Sequence, residues 1–124
     1  MKHDKYAAGL DGEQQALAYL TSLGMTPVGT RFRAEDGEID LILRDGDTLV
    51  FAEVKNRPSG RSGDGLLAVT PAKQRRILHA AQAFLNRWDG SPPPVRFDVV
   101  EITRDGLRHI PNAFWADTCA PWEG

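Results

Sequence analysis

The feature that most constrains this chain is a pair of alternating apolar runs around a tight-turn signal. Glu38-Ile-Asp-Leu-Ile-Leu43 precedes Arg44-Asp-Gly-Asp47, and Leu49-Val-Phe-Ala-Glu-Val54 follows it. Asp-Gly between such runs predicts a β-hairpin, because the turns that match strand twist need positive φ and glycine adopts it without strain. With Asp45-Gly46 as a two-residue loop, Arg44 pairs with Asp47, Glu38 faces Glu53 and Asp40 faces Phe51. Paired residues share a face and alternate residues return to it, so Glu38, Asp40, Glu53 and Lys55 project from one side, with Asp40 and Glu53 as diagonal neighbours. The other side, Ile39, Leu41, Leu43, Val50, Ala52 and Val54, is wholly apolar and is expected to face the core. A four-residue loop keeps this parity, and a three-residue loop with a bulge shifts it.

The rest of the chain supplies what such a hairpin needs in order to be covered. Its 124 residues suit one domain, with a core over about residues 9–114 and a tail over 115–124. Apolar residues spaced three and four apart predict a helix over 5–23, ending at Gly24 and carrying Glu13. A weak strand is expected over 28–33, turning at Glu35-Asp36-Gly37. Residues 56–65, rich in Gly, Ser, Pro and Arg, read as an exposed loop. Thr70 as N-cap and Pro71 at the first helical position open a second helix, with an apolar stripe at Ile77, Leu78, Ala81, Phe84 and Leu85, running to about residue 88. Strands are expected over 95–102 and, after the turn at Arg104-Asp105-Gly106, over 107–110. The order describes an α/β domain with helices packed on one sheet.

Charge narrows the function without fixing it. The net charge is −2 and the pI about 5.9, which argues against a general affinity for polyanions. The distribution is uneven, however. Residues 1–54 carry ten acids against Lys2, Lys5, Arg31, Arg33 and Arg44, whereas residues 55–76 carry Lys55, Arg57, Arg61, Lys73, Arg75 and Arg76 against Asp64 alone. That basic block reads equally as a solvated surface or as a track for a phosphate backbone. No stretch approaches the roughly 20 apolar residues of a membrane span and no secretory leader is evident, so a cytoplasmic chain with no membrane partner is expected. Cys119 is the sole cysteine and makes no disulfide within the chain. His3, His79 and His109 show no metal-ligand spacing, and Trp88, Trp115 and Trp122 sit where packing is the simpler role.

The hairpin's polar face is where chemistry is expected. Two carboxylates about 5 Å apart repel by roughly 3 kcal/mol at an effective dielectric near 20, and Lys55 offsets part of that. A divalent cation resolves the conflict, and Mg²⁺ accepts one or two carboxylates while keeping water in its other positions. Beside a phosphodiester such a cation activates water for backbone cleavage, with Lys55 orienting the water or stabilising charge on phosphorus. The tripeptide Glu53-Val54-Lys55 alone reads more readily as a wet strand face. The conjunction with the acidic run before the turn and the basic helix start at Lys73 to Arg76 is what raises the chemical reading.

Gly12-Glu13, Arg31-Phe-Arg33, Gly37-Glu-Ile-Asp-Leu-Ile42, Phe51-Ala-Glu-Val-Lys55, Val69-Thr-Pro-Ala-Lys-Gln-Arg-Arg76 and Arg96-Phe-Asp-Val-Val100 together resemble the UPF0102 (YraN-like) bacterial family, over residues 9–114. That family is similar to the PD-(D/E)xK nucleases and to archaeal Holliday-junction resolvases. The resemblance implies a restriction-endonuclease-like core, a mixed β-sheet flanked by helices in αβββαβ order. It implies Mg²⁺ or Mn²⁺ as cofactor, held by Glu13, Asp40 and Glu53, with Asp40, Glu53, Lys55 and Gln74 as catalytic residues. Glu38 would support the site, and Arg57, Arg61, Lys73, Arg75 and Arg76 would bind nucleic acid, most readily DNA. Ile39 stands where the motif's name has Pro, and Thr30 where Asn is expected before Arg-x-Arg. By analogy with resolvases, whose substrate has two-fold symmetry, a homodimer is expected. The activity so implied is metal-dependent endonucleolytic cleavage of DNA, branched or structured DNA included. The alternative is a non-catalytic module that keeps the fold and binds nucleic acid or protein.

Overall fold

In a computed structural model that describes residues 5–57 and 69–114, with side chains from residue 11 onward, the hairpin forms in a displaced register. Strands β2 (Gly37–Asp45) and β3 (Thr48–Arg57) pair antiparallel as Asp45↔Thr48, Arg44↔Leu49 and Leu43↔Val50, so the loop is Gly46-Asp47 rather than Asp45-Gly46. Gly46 supplies the positive φ, 62°, at the first central position. The expected pairing of Arg44 with Asp47 is therefore corrected. A shift of this size preserves parity but changes partners. Carried past the last ladder pair, Leu41↔Ala52, the register sets Asp40 across from Glu53 and Glu38 across from Lys55.

Helix α1 (Lys5–Ser22) leads into β1 (Thr26–Ala34), and the hairpin is followed by α2 (Pro71–Leu85), β4 (Val95–Thr103) and β5 (Gly106–Phe114). The five strands form one sheet in sequence order, antiparallel except for β3 and β4, which run parallel from Leu49↔Val95 to Arg57↔Thr103. Parallel neighbours need a crossover, and α2 lies within it. Ile42, Leu49, Phe51, Phe97 and Val99 pack against Ile77, Leu78, Ala80 and Ala81 of α2. Leu41, Leu43, Val50, Ala52 and Val100 pack against Ala16 and Leu20 of α1. Both faces of the sheet are thus covered, as expected of a mixed sheet flanked by helices, whereas the hairpin taken alone gives one apolar and one polar face. The central strands read as near-continuous apolar runs for this reason. Ile39 also leaves its expected face: it joins the α2-side core while Leu41 joins the α1-side core, so strict alternation slips at Asp40.

Element ends move by a few residues. Thr70 accepts the Lys73 N–H at 3.3 Å as the N-cap of α2, as its sequence foretells. The helix stops at Leu85 rather than about residue 88, and Trp88 closes a following turn by donating to the Leu85 carbonyl at 2.9 Å. Strand β5 runs to Phe114 because Phe114 pairs with Phe97 and stacks on it at 5.1 Å. Asn56 and Arg57 end β3 rather than opening a loop. The remainder of the expected loop, Arg61 included, lies outside the described residues, as do His3, Trp115, Cys119 and Trp122.

Among the described residues β1 and β5 are the sheet's edges, and both are irregular. The β1–β2 register shifts between Pro27 and Gly29, and Arg31 takes φ 52°. The β4–β5 register shifts between Phe97 and Val99, and Asn112, after Pro111, takes φ 56°.

One glycine sets how closely α2 seats on the sheet. A Cβ on Gly37 would stand 2.2 Å from the Arg76 carbonyl oxygen and 2.8 Å from its carbon, both backbone atoms that cannot swing aside. Gly37→Ala is expected to destabilise the protein by about 1–3 kcal/mol, the range for overpacking, read as a lowered urea midpoint. An unchanged midpoint would show that the helix is free to shift.

Candidate active site

The β2–β3 ladder ends at Leu41↔Ala52 because a side chain takes over from the backbone. The Val54 N–H donates to the Asp40 carboxylate at 2.8 Å, so Asp40 occupies the gap between the two strands. Beyond it the strands part, and a cleft of about 380 Å³ opens on the α2 side, lined by Arg33, Ala34, Gly37, Glu38, Asp40, Glu53, Lys55, Lys73, Arg76 and Ile77.

The cleft's electrostatics follow from three acids crowded together with four cations. The Asp40 carboxyl is pushed up to about 8, first by burial, then by the Glu53 charge, with a shared hydrogen bond to Glu53 and the more distant Glu13 adding to it and the Val54 N–H opposing. Lys55 Nζ lies 3.2 Å from Glu53 Oε2, both side chains 16% exposed. The Lys73 ammonium is held below its ordinary range, first by the like charge of Lys55 beside it and then by burial. Lys73 and Arg76, three apart on α2, present their cations from one wall. Glu38 pairs with Arg33 at 3.1 Å on the open rim, a contact that water and salt largely screen.

Of the residues singled out from sequence, Asp40, Glu53, Lys55, Glu38, Lys73 and Arg76 meet in this cleft. Gln74 is not among its lining residues; its side-chain amide donates to the Val69 carbonyl at 3.0 Å, and the neighbouring Lys73 faces the cleft instead. Arg57 and Arg75 are exposed and outside the lining. Glu13 is engaged by Arg31 at 2.9 Å. Arg33, to which sequence assigns no role, also lines the cleft; Arg-x-Arg on a strand beside the hairpin is the signal that points to it.

Among the described residues no group of three or more His, Cys, Asp or Glu side chains is placed to hold a metal ion. The donors present are the adjoining Asp40 and Glu53 carboxyls, forced to share a hydrogen bond. Such a pair fits a hard divalent cation, which takes one or two carboxylates and completes its shell with water and substrate oxygens.

A second buried acid has a different character. Asp98, fully buried on the α1 side, accepts from Arg96 Nε at 2.9 Å and Nη2 at 3.0 Å, and from the Asn112 N–H at 3.0 Å. It also meets His109 Nε2 at 2.8 Å. Arg96 continues to Asp45 at 3.1 Å, and the edge of the Tyr19 ring rests on His109 at 5.9 Å. Every hydrogen-bonding position is taken up between strands, so this cluster fastens β4, β5 and the hairpin turn. No sequence spacing announced it beyond Arg and Asp two apart on one strand.

A five-stranded mixed sheet between helices, with acids gathered where its central hairpin opens, defines a restriction-endonuclease-like α/β core. The chain belongs to the uncharacterised protein family UPF0102, whose profile matches residues 12–102. It is 44% identical over 105 residues to a UPF0102 protein of Herminiimonas arsenicoxydans, covering 85% of this chain and 84% of that one. It is 48% identical over 113 residues to one of Symbiobacterium thermophilum, covering 87% and 96%. A Geobacter sulfurreducens relative is 44% identical over 117 residues, with 90% and 91% covered. No helix among the described residues is long and apolar enough to cross a membrane.

Proposed function

We propose that this chain is a Mg²⁺- or Mn²⁺-dependent endonuclease that hydrolyses phosphodiester bonds of DNA, branched or otherwise structured DNA included. The observation that carries the reading is the Asp40–Glu53 carboxyl pair, half-buried where β2 and β3 separate and faced by Lys55, Lys73 and Arg76. A site that only bound phosphate would gain nothing from two adjoining acids, whose charges repel the ligand and each other. Bound between them, a divalent cation would polarise a phosphoryl oxygen and acidify a water. Lys55, steadied by Glu53, is within reach of that water or of the charge building on phosphorus. Lys73 and Arg76 supply the opposite wall with charge for the flanking backbone. Asp40 is anchored by the Val54 N–H, so its carboxylate keeps its place when its proton leaves.

Cleavage of duplex, single-stranded, flap and four-way-junction DNA with and without Mn²⁺ tests the reading. Asp40→Asn and Glu53→Gln are expected to lower the rate by about a hundredfold or more, and Lys55→Ala by about 10²–10³. Undiminished cleavage in all three, or none by the wild type on any substrate, sinks it. The net charge of −2 favours a second reading, a module that binds without cutting; uncleaved DNA retained by the wild type in Mn²⁺ would select it.

A further inference from the structure

Arg31 stands out as a strained residue beside the site. Its φ of 52° lies in the left-handed region, which costs a residue with a side chain roughly 1 kcal/mol or more and persists where the surroundings enforce it. The pairs Thr30↔Leu41 and Phe32↔Ile39 flank it, leaving Arg31 opposite Asp40 and outside the β1–β2 ladder. Regular alternation would send Arg31 and Arg33 to the same face. Instead Arg33 lines the cleft with Arg76, while Arg31 reaches α1 and meets Glu13 with Nε 2.9 Å from Oε1, the side chains 29% and 18% exposed.

The course of α1 places that ion pair over Asp40. At Gly12 the helix lies against β3 so closely that a Cβ would stand 2.8 Å from Asn56 Cβ. Glu13, the next residue, is bound to Arg31 on β1. Strand β2 runs between β1 and β3, and the residue of β2 opposite Arg31 is Asp40. Glu13 is therefore a third carboxylate near enough for its charge to be felt at Asp40, although the three acids are not gathered into a metal-holding group. Glu53 has Lys55 as its counter-charge; Glu13 has Arg31.

We propose that Arg31 is a displaceable counter-ion: it neutralises Glu13 while the site holds no cation and yields Glu13 when a divalent cation occupies Asp40 and Glu53, so Arg31 sets the site's cation affinity. This rests on the reading of the cleft as a cation site. A guanidinium stays charged at every working pH, so its competition with the cation is one of geometry.

The test is divalent-cation affinity, measured by titration calorimetry and thermal shift with Mn²⁺ and Ca²⁺ and no nucleic acid. Arg31→Gly removes the guanidinium while glycine keeps the backbone at positive φ without strain, and Arg31→Gln serves as a second neutral variant. Both are expected to bind either cation about 5- to 20-fold more tightly than the wild type, a coupling of ordinary size. Arg31→Lys should stay near the wild type. Adding Glu13→Gln to Arg31→Gly should abolish the gain, because the freed carboxylate is its source. Unchanged or weaker binding in both neutral variants overturns the proposal while leaving the cation site standing. A wild type and variants that bind neither cation at millimolar concentration overturn both this proposal and the metal-dependent reading.

Discussion

Replacing Asp98 by alanine is expected to lower the unfolding free energy by about 3–5 kcal/mol, the cost of breaking a buried ion pair from one side. The carboxylate is wholly buried and receives two hydrogen bonds from Arg96 and one from the Asn112 N–H, with His109 against it. Its removal strands the Arg96 guanidinium, 21% exposed, on its remaining contact with Asp45, and leaves the Asn112 N–H without its acceptor. Burial alone would raise the Asp98 pKa, but the bonds from His109, Arg96 and Asn112 prevail and hold it below 3.8. A carboxyl depressed in the folded state contributes stability that is present above its unfolded pKa and lost as pH falls through the folded one. Urea unfolding of Asp98→Ala and wild type should therefore differ fully near pH 7, with the gap narrowing only as pH falls below 3.8. A difference under about 1 kcal/mol at pH 7 would show that β4 and β5 do not depend on this cluster.

Asp40→Asn should do the opposite, stabilising the fold while abolishing its chemistry. With a folded pKa of about 8 against 3.8 for the model carboxyl, the native protein holds a proton that the unfolded chain releases between those values. Stability consequently falls as pH rises across that window. Asparagine is neutral throughout, and its carbonyl oxygen still accepts the Val54 N–H. The variant is expected to match the wild type near pH 4 and to exceed it increasingly as pH rises, by up to about 5 kcal/mol at pH 8, taking each of about four pKa units as about 1.4 kcal/mol. A cation must displace the Asp40 proton, so Mn²⁺ should raise the wild-type Tm more at pH 8 than at pH 6 and leave Asp40→Asn nearly unmoved. Melting curves over pH 4–9 with and without Mn²⁺ read both effects. A variant no more stable than the wild type at pH 8 would mean that Asp40 ionises there without strain. A gain in stability from losing an acid is the mark of a site built for function at the expense of packing.

The contrast between these two acids shows what local sequence conveys. Alternation alone sets Asp40, Glu53 and Lys55 on one face, and the two-residue displacement of the register leaves that parity unchanged because it is even. The register itself was not legible, since an Asp-Gly signal lets glycine take either central position of a primed turn. Burial of both faces was encoded in Ile42, Leu49 and Phe51, but a hairpin read in isolation offers no reason to cover its second side. The crossover between β3 and β4 is what brings α2 there. The Asp98 cluster joins residues from β2, β4 and β5, and the Glu13–Arg31 pair joins α1 to β1. Neither has a local pattern. Gln74 and Lys73 are adjacent on α2, and only the rotation of the helix against the sheet decides which of them faces the cleft.

The two irregular edges bear on how the chain keeps company. An extended segment of another molecule would have to lay an unbroken row of hydrogen bonds along β1 or β5. On β1 it meets Pro27, which has no N–H, and the turned backbone of Arg31; on β5 it meets Pro111 and the turned backbone of Asn112. Such interruptions deny a growing cross-strand stack its template. A second copy of this chain, if a two-fold substrate calls for one, would therefore meet it through helices or loops, and high cellular concentration would not seed fibres from either flank.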